Sequence, residues 1–257
     1  MQSQLCPWEE PIILAAAAGK LQELQQELAR QKQVDTRDLE FQRTSLHWAA
    51  LGGHDAVVRL LLAHGADLNV IEPNHGRTPL LKAVAGGQEP VVRRLTDAGA
   101  RFDTADMLGD TPLTLATRQS SVAMARLLLE TRAGPNVCDW RRGKTPLSLA
   151  SEKGRDDIVD LLLHDGATVS LADDEGTVPL AYALKNGHDG IAQTLAAREV
   201  GEGLRDAGQI LSASTFCSFC FGLNFEESPS PTAIPSMSLG TVNGLLAKQS
   251  RVNVCRA

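Results

Sequence analysis

Five stretches of this chain share one frame, and the frame returns at a nearly fixed step. The first copy is Thr44-Ser45-Leu46-His47-Trp48-Ala49-Ala50-Leu51-Gly52-Gly53-His54. Thr44 can cap a helix N-terminus through its hydroxyl. Leu46, Ala49 and Ala50 fall on one helical face, and the glycine pair allows the left-handed residue that ends a helix. Thr78-Pro79-Leu80, Thr111-Pro112-Leu113, Thr145-Pro146-Leu147 and Val178-Pro179-Leu180 repeat the opening, followed by Ala83, Ala116, Ala150 and Ala183. The starts at 44, 78, 111, 145 and 178 lie 34, 33, 34 and 33 residues apart. A step of this size marks a small unit that cannot bury its apolar face alone, whereas stacked copies bury a continuous core.

Each frame is followed by a second apolar seam: Val57, Val58 and Leu60–Leu62, then Val91, Val92 and Leu95, then Ala125 and Leu127–Leu129, then Ile158, Val159 and Leu161–Leu163, and finally Ile191, Ala192 and Leu195. In the second of these, Thr96 stands where Leu is usual. With its T-P-L-H-x-A signature, the pattern resembles the ankyrin repeat. The resemblance implies an all-α helical-repeat solenoid with short β-hairpin loops and a disordered C-terminal tail. Residues 8–42 read as a degenerate N-terminal capping repeat, because they lack the Thr-Pro opening and carry a polar outer face. Residues 43–200 read as five repeats. Residues 201–257 break the period and read as a flexible tail holding a short apolar Cys/Phe segment, Phe216 to Phe225.

Composition narrows the class of function. The chain of 257 residues is 43% hydrophobic but only 4% aromatic, so its core must be Leu, Val and Ala, which suits close helix packing. A net charge of −6 speaks against a general nucleic-acid surface. Five scattered cysteines do not suggest a secreted disulfide scaffold. The apolar run Ile12–Ala18 is too short to span a bilayer and follows acidic rather than basic residues. The expected location is the cytoplasm, with the nucleus also open, and the expected state is a monomer.

No nucleotide-binding, serine-hydrolase or zinc-protease motif is present, so the expectation is a non-catalytic chain without cofactor or metal. Cys217-x-x-Cys220 is one ligand pair where a structural zinc site needs two. His47, His54 and His188 fit a structural role, bonding the backbone of neighbouring repeats. The acidic run Asp173-Asp174-Glu175 reads as solvated loop tip.

Two features point to a partner protein. In ankyrin repeats the residues just after the L-H pair face the concave groove. Carried onto this sequence they are Trp48, Lys82, Leu115, Leu149 and Tyr182, with Leu51, Ala85, Arg118, Glu152 and Lys185 as a second row. The first row reads either as a binding wall or as filler between repeats. The second feature is the loop tips, because the loops after the first and third repeats each carry one extra residue. One holds Glu72-Pro73-Asn74-His75 and the other Asp139-Trp140-Arg141-Arg142; a Trp beside two Arg is the composition enriched in binding hot spots. The expected function is a protein–protein interaction scaffold or adaptor using the concave groove and the tips. The expected partner is an extended or helical segment with acidic and apolar residues. The alternative is a targeting subunit that tethers an enzyme or membrane through its tail. Asn69 sits in a sequence similar to those that asparaginyl hydroxylases modify in ankyrin repeats. Ser228 and Ser230, each followed by Pro, are candidate phosphorylation sites.

Overall fold

The structure, a computed structural model, describes residues 10–30 and 33–207, with the side chains only up to residue 200. Among these residues are twelve helices. Helices α1 (Pro11–Ala17) and α2 (Leu21–Arg30) form the cap. The five frames become inner helices α3 (Ser45–Gly52), α5 (Pro79–Ala85), α7 (Pro112–Arg118), α9 (Pro146–Lys153) and α11 (Pro179–Lys185). The second seams become outer helices α4 (Asp55–Ala63), α6 (Glu89–Asp97), α8 (Val122–Glu130), α10 (Asp156–His164) and α12 (Asp189–Ala207). The expected boundary at residue 201 falls inside α12, which runs unbroken to Ala207. Cys217, Cys220, Ser228 and Ser230 lie outside the described residues.

Local chemistry explains where the inner helices start. The Thr78, Thr111 and Thr145 hydroxyls accept bonds from the amides of Leu81, Thr114 and Ser148, satisfying a donor that the helix leaves orphaned. Proline follows at the first helical position, where no amide hydrogen is needed. The inner helices end in a left-handed residue, with φ of 74° at Gly53 and 67° at Gly87; Ser120 adopts the same conformation, φ 61°, where the others have glycine.

Ala49, Ala83, Ala116, Ala150 and Ala183 are completely buried. Their lack of bulk lets neighbouring inner helices approach closely. A side chain near each inner-helix end then ties back to the preceding repeat: His54 Nε2 to the Ala17 carbonyl at 3.0 Å, Gln88 to Leu51 at 3.4 Å, Gln119 to Ala85 at 3.3 Å, Lys153 to Arg118 at 2.7 Å and His188 to Glu152 at 3.3 Å. His54 and His188 thus serve as repeat spacers. Thr96 is half-buried and returns its hydroxyl to the Arg93 carbonyl at 2.8 Å.

Repeat one departs from its neighbours at the first position of its inner helix. Ser45 stands where the next four repeats have proline, and its hydroxyl is buried without a hydrogen-bond partner. Thr44, with φ −83° and ψ 166°, already holds the extended conformation that a residue before proline requires, matching Thr78 at −82° and 166°. Ser45→Pro should therefore stabilise the chain by about 1 kcal/mol, by removing an unsatisfied hydroxyl and restricting the unfolded chain. Urea unfolding checks this, and a lower midpoint would contradict it.

Candidate functional site

Between each outer helix and the next inner helix the chain makes a finger-like loop. Each loop is closed by a backbone bond between its first and last residues: Asp38 to Arg43, Glu72 to Arg77, Asp106 to Asp110, Asp139 to Lys144 and Asp173 to Thr177. Fingers two (72–77) and four (139–144) are one residue longer than fingers three (106–110) and five (173–177), which accounts for the 34-residue steps. The expected β-hairpins are present only as turns; the one β-bridge among the described residues joins Arg37 and Thr44.

An acidic residue opens every finger, and all five are buried: Asp38 at 3% exposure, Glu72 at 0%, Asp106 at 1%, Asp139 at 3% and Asp173 at 7%. The four aspartates bond amides of their own turn, as Asp173 does with the Glu175 and Thr177 amides at 3.0 and 2.8 Å. Glu72 is one methylene longer and reaches inward to charged groups instead.

These acids explain the row expected to line the groove. Trp48 donates its indole N–H to Asp38 at 2.9 Å, Lys82 Nζ lies 2.6 Å from Glu72, and the Tyr182 hydroxyl donates to Asp173 at 2.6 Å. The three row residues that carry a donor are each aimed at the acid of their own finger. Leu115 and Leu149 carry none, and there Asp106 is met by Arg77 at 3.0 Å and Asp139 by Arg118 at 3.9 Å, both from the preceding repeat.

The consequence is a correction. Lys82, Leu115, Leu149 and Tyr182 are 4%, 5%, 2% and 7% exposed, so they do not form an open wall; the fingers bring Glu72 onto Lys82 and Asp173 onto Tyr182. Only Trp48 stays half-open, with Phe41 packed edge-on at 6.1 Å and the Arg43 guanidinium 4.8 Å above its ring. Arg118 is not a free positive charge either, because it pairs with Asp110 at 2.7 Å. Asp173 is interior, whereas Asp174 and Glu175 are exposed as expected.

Burial leaves its mark on the ionisable groups. Burial raises the Tyr182 pKa, and the Asp173 carboxylate raises it further. Burial alone would raise that of Glu72, but hydrogen bonds from Lys82 and Arg43 outweigh it and hold the carboxyl below its ordinary value. The periodic recurrence of an acid at 38, 72, 106, 139 and 173 was the sequence signal for this ladder, and it is invisible in any one repeat.

The finger tips are different. Trp140 is 62% exposed, and Arg141 and Arg142 are exposed beside it without ion pairs among the described residues. Met107 and Leu108 on finger three are 54% and 55% exposed; no frame residue marked them. Backbone bonds stitch the tips together: Met107 to His75 at 2.8 Å, Trp140 to Gly109 at 3.3 Å and Asp174 to Arg142 at 2.9 Å. The Trp140 indole N–H also bonds the Asp106 carbonyl at 2.9 Å. Trp140 therefore straddles the Met107–Leu108 tip and is held there rather than waving free. Asn69 is half-buried, and its side-chain oxygen accepts the Arg101 amide of the next repeat at 3.2 Å.

A family model of ankyrin repeats, three copies, matches residues 12–106, 102–173 and 136–206. The chain belongs to the ankyrin-repeat family. The human palmitoyltransferase ZDHHC13 is 36% identical over 154 residues, which are 60% of this chain and 25% of that protein; this chain thus spans about a quarter of that relative. The ankyrin repeat domain of Bcl-3, a member of the IkappaB protein family, superposes with a TM-score of 0.68 at 28% identity, covering 73% of this chain and 85% of that one. An ankyrin repeat domain from Acinetobacter baumannii AYE gives 0.67 at 30% identity, covering 73% and 96%. Ankyrin repeats generally mediate protein–protein interaction, and the fold is typically a non-catalytic interaction module. No described helix is long and apolar enough to cross a membrane.

Proposed function

We propose that this ankyrin-repeat chain is an interaction adaptor whose partner is held by the finger tips rather than by the inner-helix row. The observation that carries this reading is the exposed Trp140, fixed by two hydrogen bonds and followed by two arginines that form no ion pair among the described residues. A large aromatic surface held in place loses little entropy on binding, and arginine can pair with a carboxylate through two parallel bonds. Such residues dominate binding energies out of proportion to their area. The inner row has the opposite character, because its polar atoms already have partners.

The test begins with affinity capture of the partner, followed by its dissociation constant for single variants. Trp140→Ala and Arg141→Ala should each weaken binding by about 1–3 kcal/mol. Arg93→Ala, on an outer helix beside Glu130 at 3.6 Å, should leave it nearly unchanged. All three residues are exposed, so circular dichroism should show an intact fold. Loss of affinity in the Arg93 variant with wild-type binding by the two tip variants would move the site to the convex face.

A further inference from the structure

The tips are ordered by chemistry along the stack. Finger three presents Met107 and Leu108, finger four Trp140 with Arg141 and Arg142, and finger five Asp174 and Glu175, all exposed. The basic and acidic tips touch through the backbone, yet no side-chain ion pair joins them among the described residues. The fingers pack without slack. A Cβ on Gly109 would sit 2.8 Å from Arg141 Cγ, and one on Gly143 would sit 2.8 Å from the Asp174 carboxylate. The spacing between the three patches is therefore set by the stack. Packed helices lie about 8–10 Å apart, and a chain in the extended polyproline II conformation advances about 3.1 Å per residue and returns every third side chain to one face, so one finger corresponds to about three residues of such a peptide.

Resting on the tip reading above, we infer that fingers three to five bind a segment of a partner protein extended in the polyproline II conformation, whose three residues per turn match the finger spacing. An apolar side chain packs on Met107, Leu108 and Trp140. An acidic side chain three positions along meets Arg141 and Arg142. A basic side chain three positions further meets Asp174 and Glu175. The order of charges fixes which way the segment lies, because a reversed segment would set like charges against each other. A helical segment, rising about 1.5 Å per residue, would need about six or seven residues per finger instead of three, so the spacing of the bound pattern tells the two conformations apart.

The experiment selects random twelve-residue peptides, displayed on phage, against the full chain, with the Trp140→Ala chain as counter-selection. The expected result is enrichment of an apolar-x-x-acidic-x-x-basic pattern, in one chain direction. In an enriched peptide made synthetically, one residue inserted between the apolar and acidic positions should lower affinity at least tenfold. Arg141→Glu with Arg142→Glu should reverse the preference at the acidic position from Glu to Lys. Enriched peptides that need Trp140 but show a different spacing, or tolerate the insertion, overturn the three-residue period and leave the tip reading standing. Enriched peptides indifferent to Trp140 overturn both. Absence of any enriched peptide overturns the extended-segment inference, with partner affinity of the tip variants then deciding the broader reading.

Discussion

Replacing Glu72 with Ala should destabilise the stack by about 3–5 kcal/mol, a large share of the total for a chain of this kind. Glu72 is completely buried, and two cations converge on it, Arg43 through Nε and Lys82 through Nζ at 2.6 Å. His75 Nδ1 lies 3.5 Å from Oε1, the oxygen that Lys82 also meets. Arg43 and Lys82 are themselves only 8% and 4% exposed, so removing the carboxylate strands two positive charges in the interior. Arg43 would keep its stacking over Phe41 and Trp48 at 4.4 and 4.8 Å, which offsets only part of the loss. Glu72→Gln keeps the shape and should fall between wild type and Ala. Chemical denaturation of the three proteins is the measurement. A loss below about 1 kcal/mol would mean that water reaches the two cations. The sign with pH follows from the lowered pKa of Glu72: the contribution of its charge is present above the ordinary carboxylate value and fades as pH falls through its own lower value.

Acidification should also destabilise the protein through His47, in a separate and higher window. His47 is completely buried, and its two ring nitrogens have assigned roles. The Thr44 amide, which can only donate, lies 3.2 Å from Nδ1, so Nδ1 accepts. The Arg77 carbonyl, which can only accept, lies 3.1 Å from Nε2, so Nε2 carries the proton. A second proton on Nδ1 would displace the Thr44 amide bond and leave only the Thr44 hydroxyl, 2.9 Å away, to accept it. Burial lowers the His47 pKa from 6.5 to about 4, and the Arg77 carbonyl opposes this only in part. Between those values the unfolded chain takes up a proton that the folded chain refuses, so stability falls as pH falls from 6.5 to about 4. At roughly 1.4 kcal/mol for each tenfold change in proton affinity, the loss reaches about 3 kcal/mol. The equivalent position in the next repeat is Leu81, so His47→Leu is a compatible replacement. That variant should be less stable at neutral pH, because it loses the bonds to Thr44 and Arg77, but its stability should change much less across this window. Parallel slopes for wild type and variant would show that His47 does not titrate there.

The repeat architecture was legible in the residues because the signals that write it are local. A threonine hydroxyl capping its own helix, a proline at the first helical position and a residue able to turn left-handed at the end each act within about four residues. Recurrence at 33 or 34 residues multiplied a weak signal into a decisive one. Ser120 shows that the position matters more than the residue, because it takes the left-handed turn without being glycine. The exposure of Trp140, Arg141 and Arg142 was legible for a similar reason, since an inserted residue lengthens a turn wherever the rest of the chain packs.

The inner row was a different matter. Trp48, Lys82, Leu115, Leu149 and Tyr182 occupy one helical register, yet a register says only which side of a helix a residue is on. Whether that side is open depends on the finger, which bends back from its own repeat and is braced by the next. Lys82 and Tyr182 carry polar groups that suggest a surface, but the carboxylates of Glu72 and Asp173 satisfy those groups in the interior. The exposure of Met107 and Leu108 was likewise settled by stacking: they crown a tight three-residue turn whose backbone is bonded by fingers two and four, which leaves the two side chains outward. Capping, turning and periodicity belong to the chain and could be read along it; burial, ion pairing and the chemistry presented at the tips arise only when each finger folds back on its own repeat and the repeats stack, which brings together residues about 10 and about 30 apart.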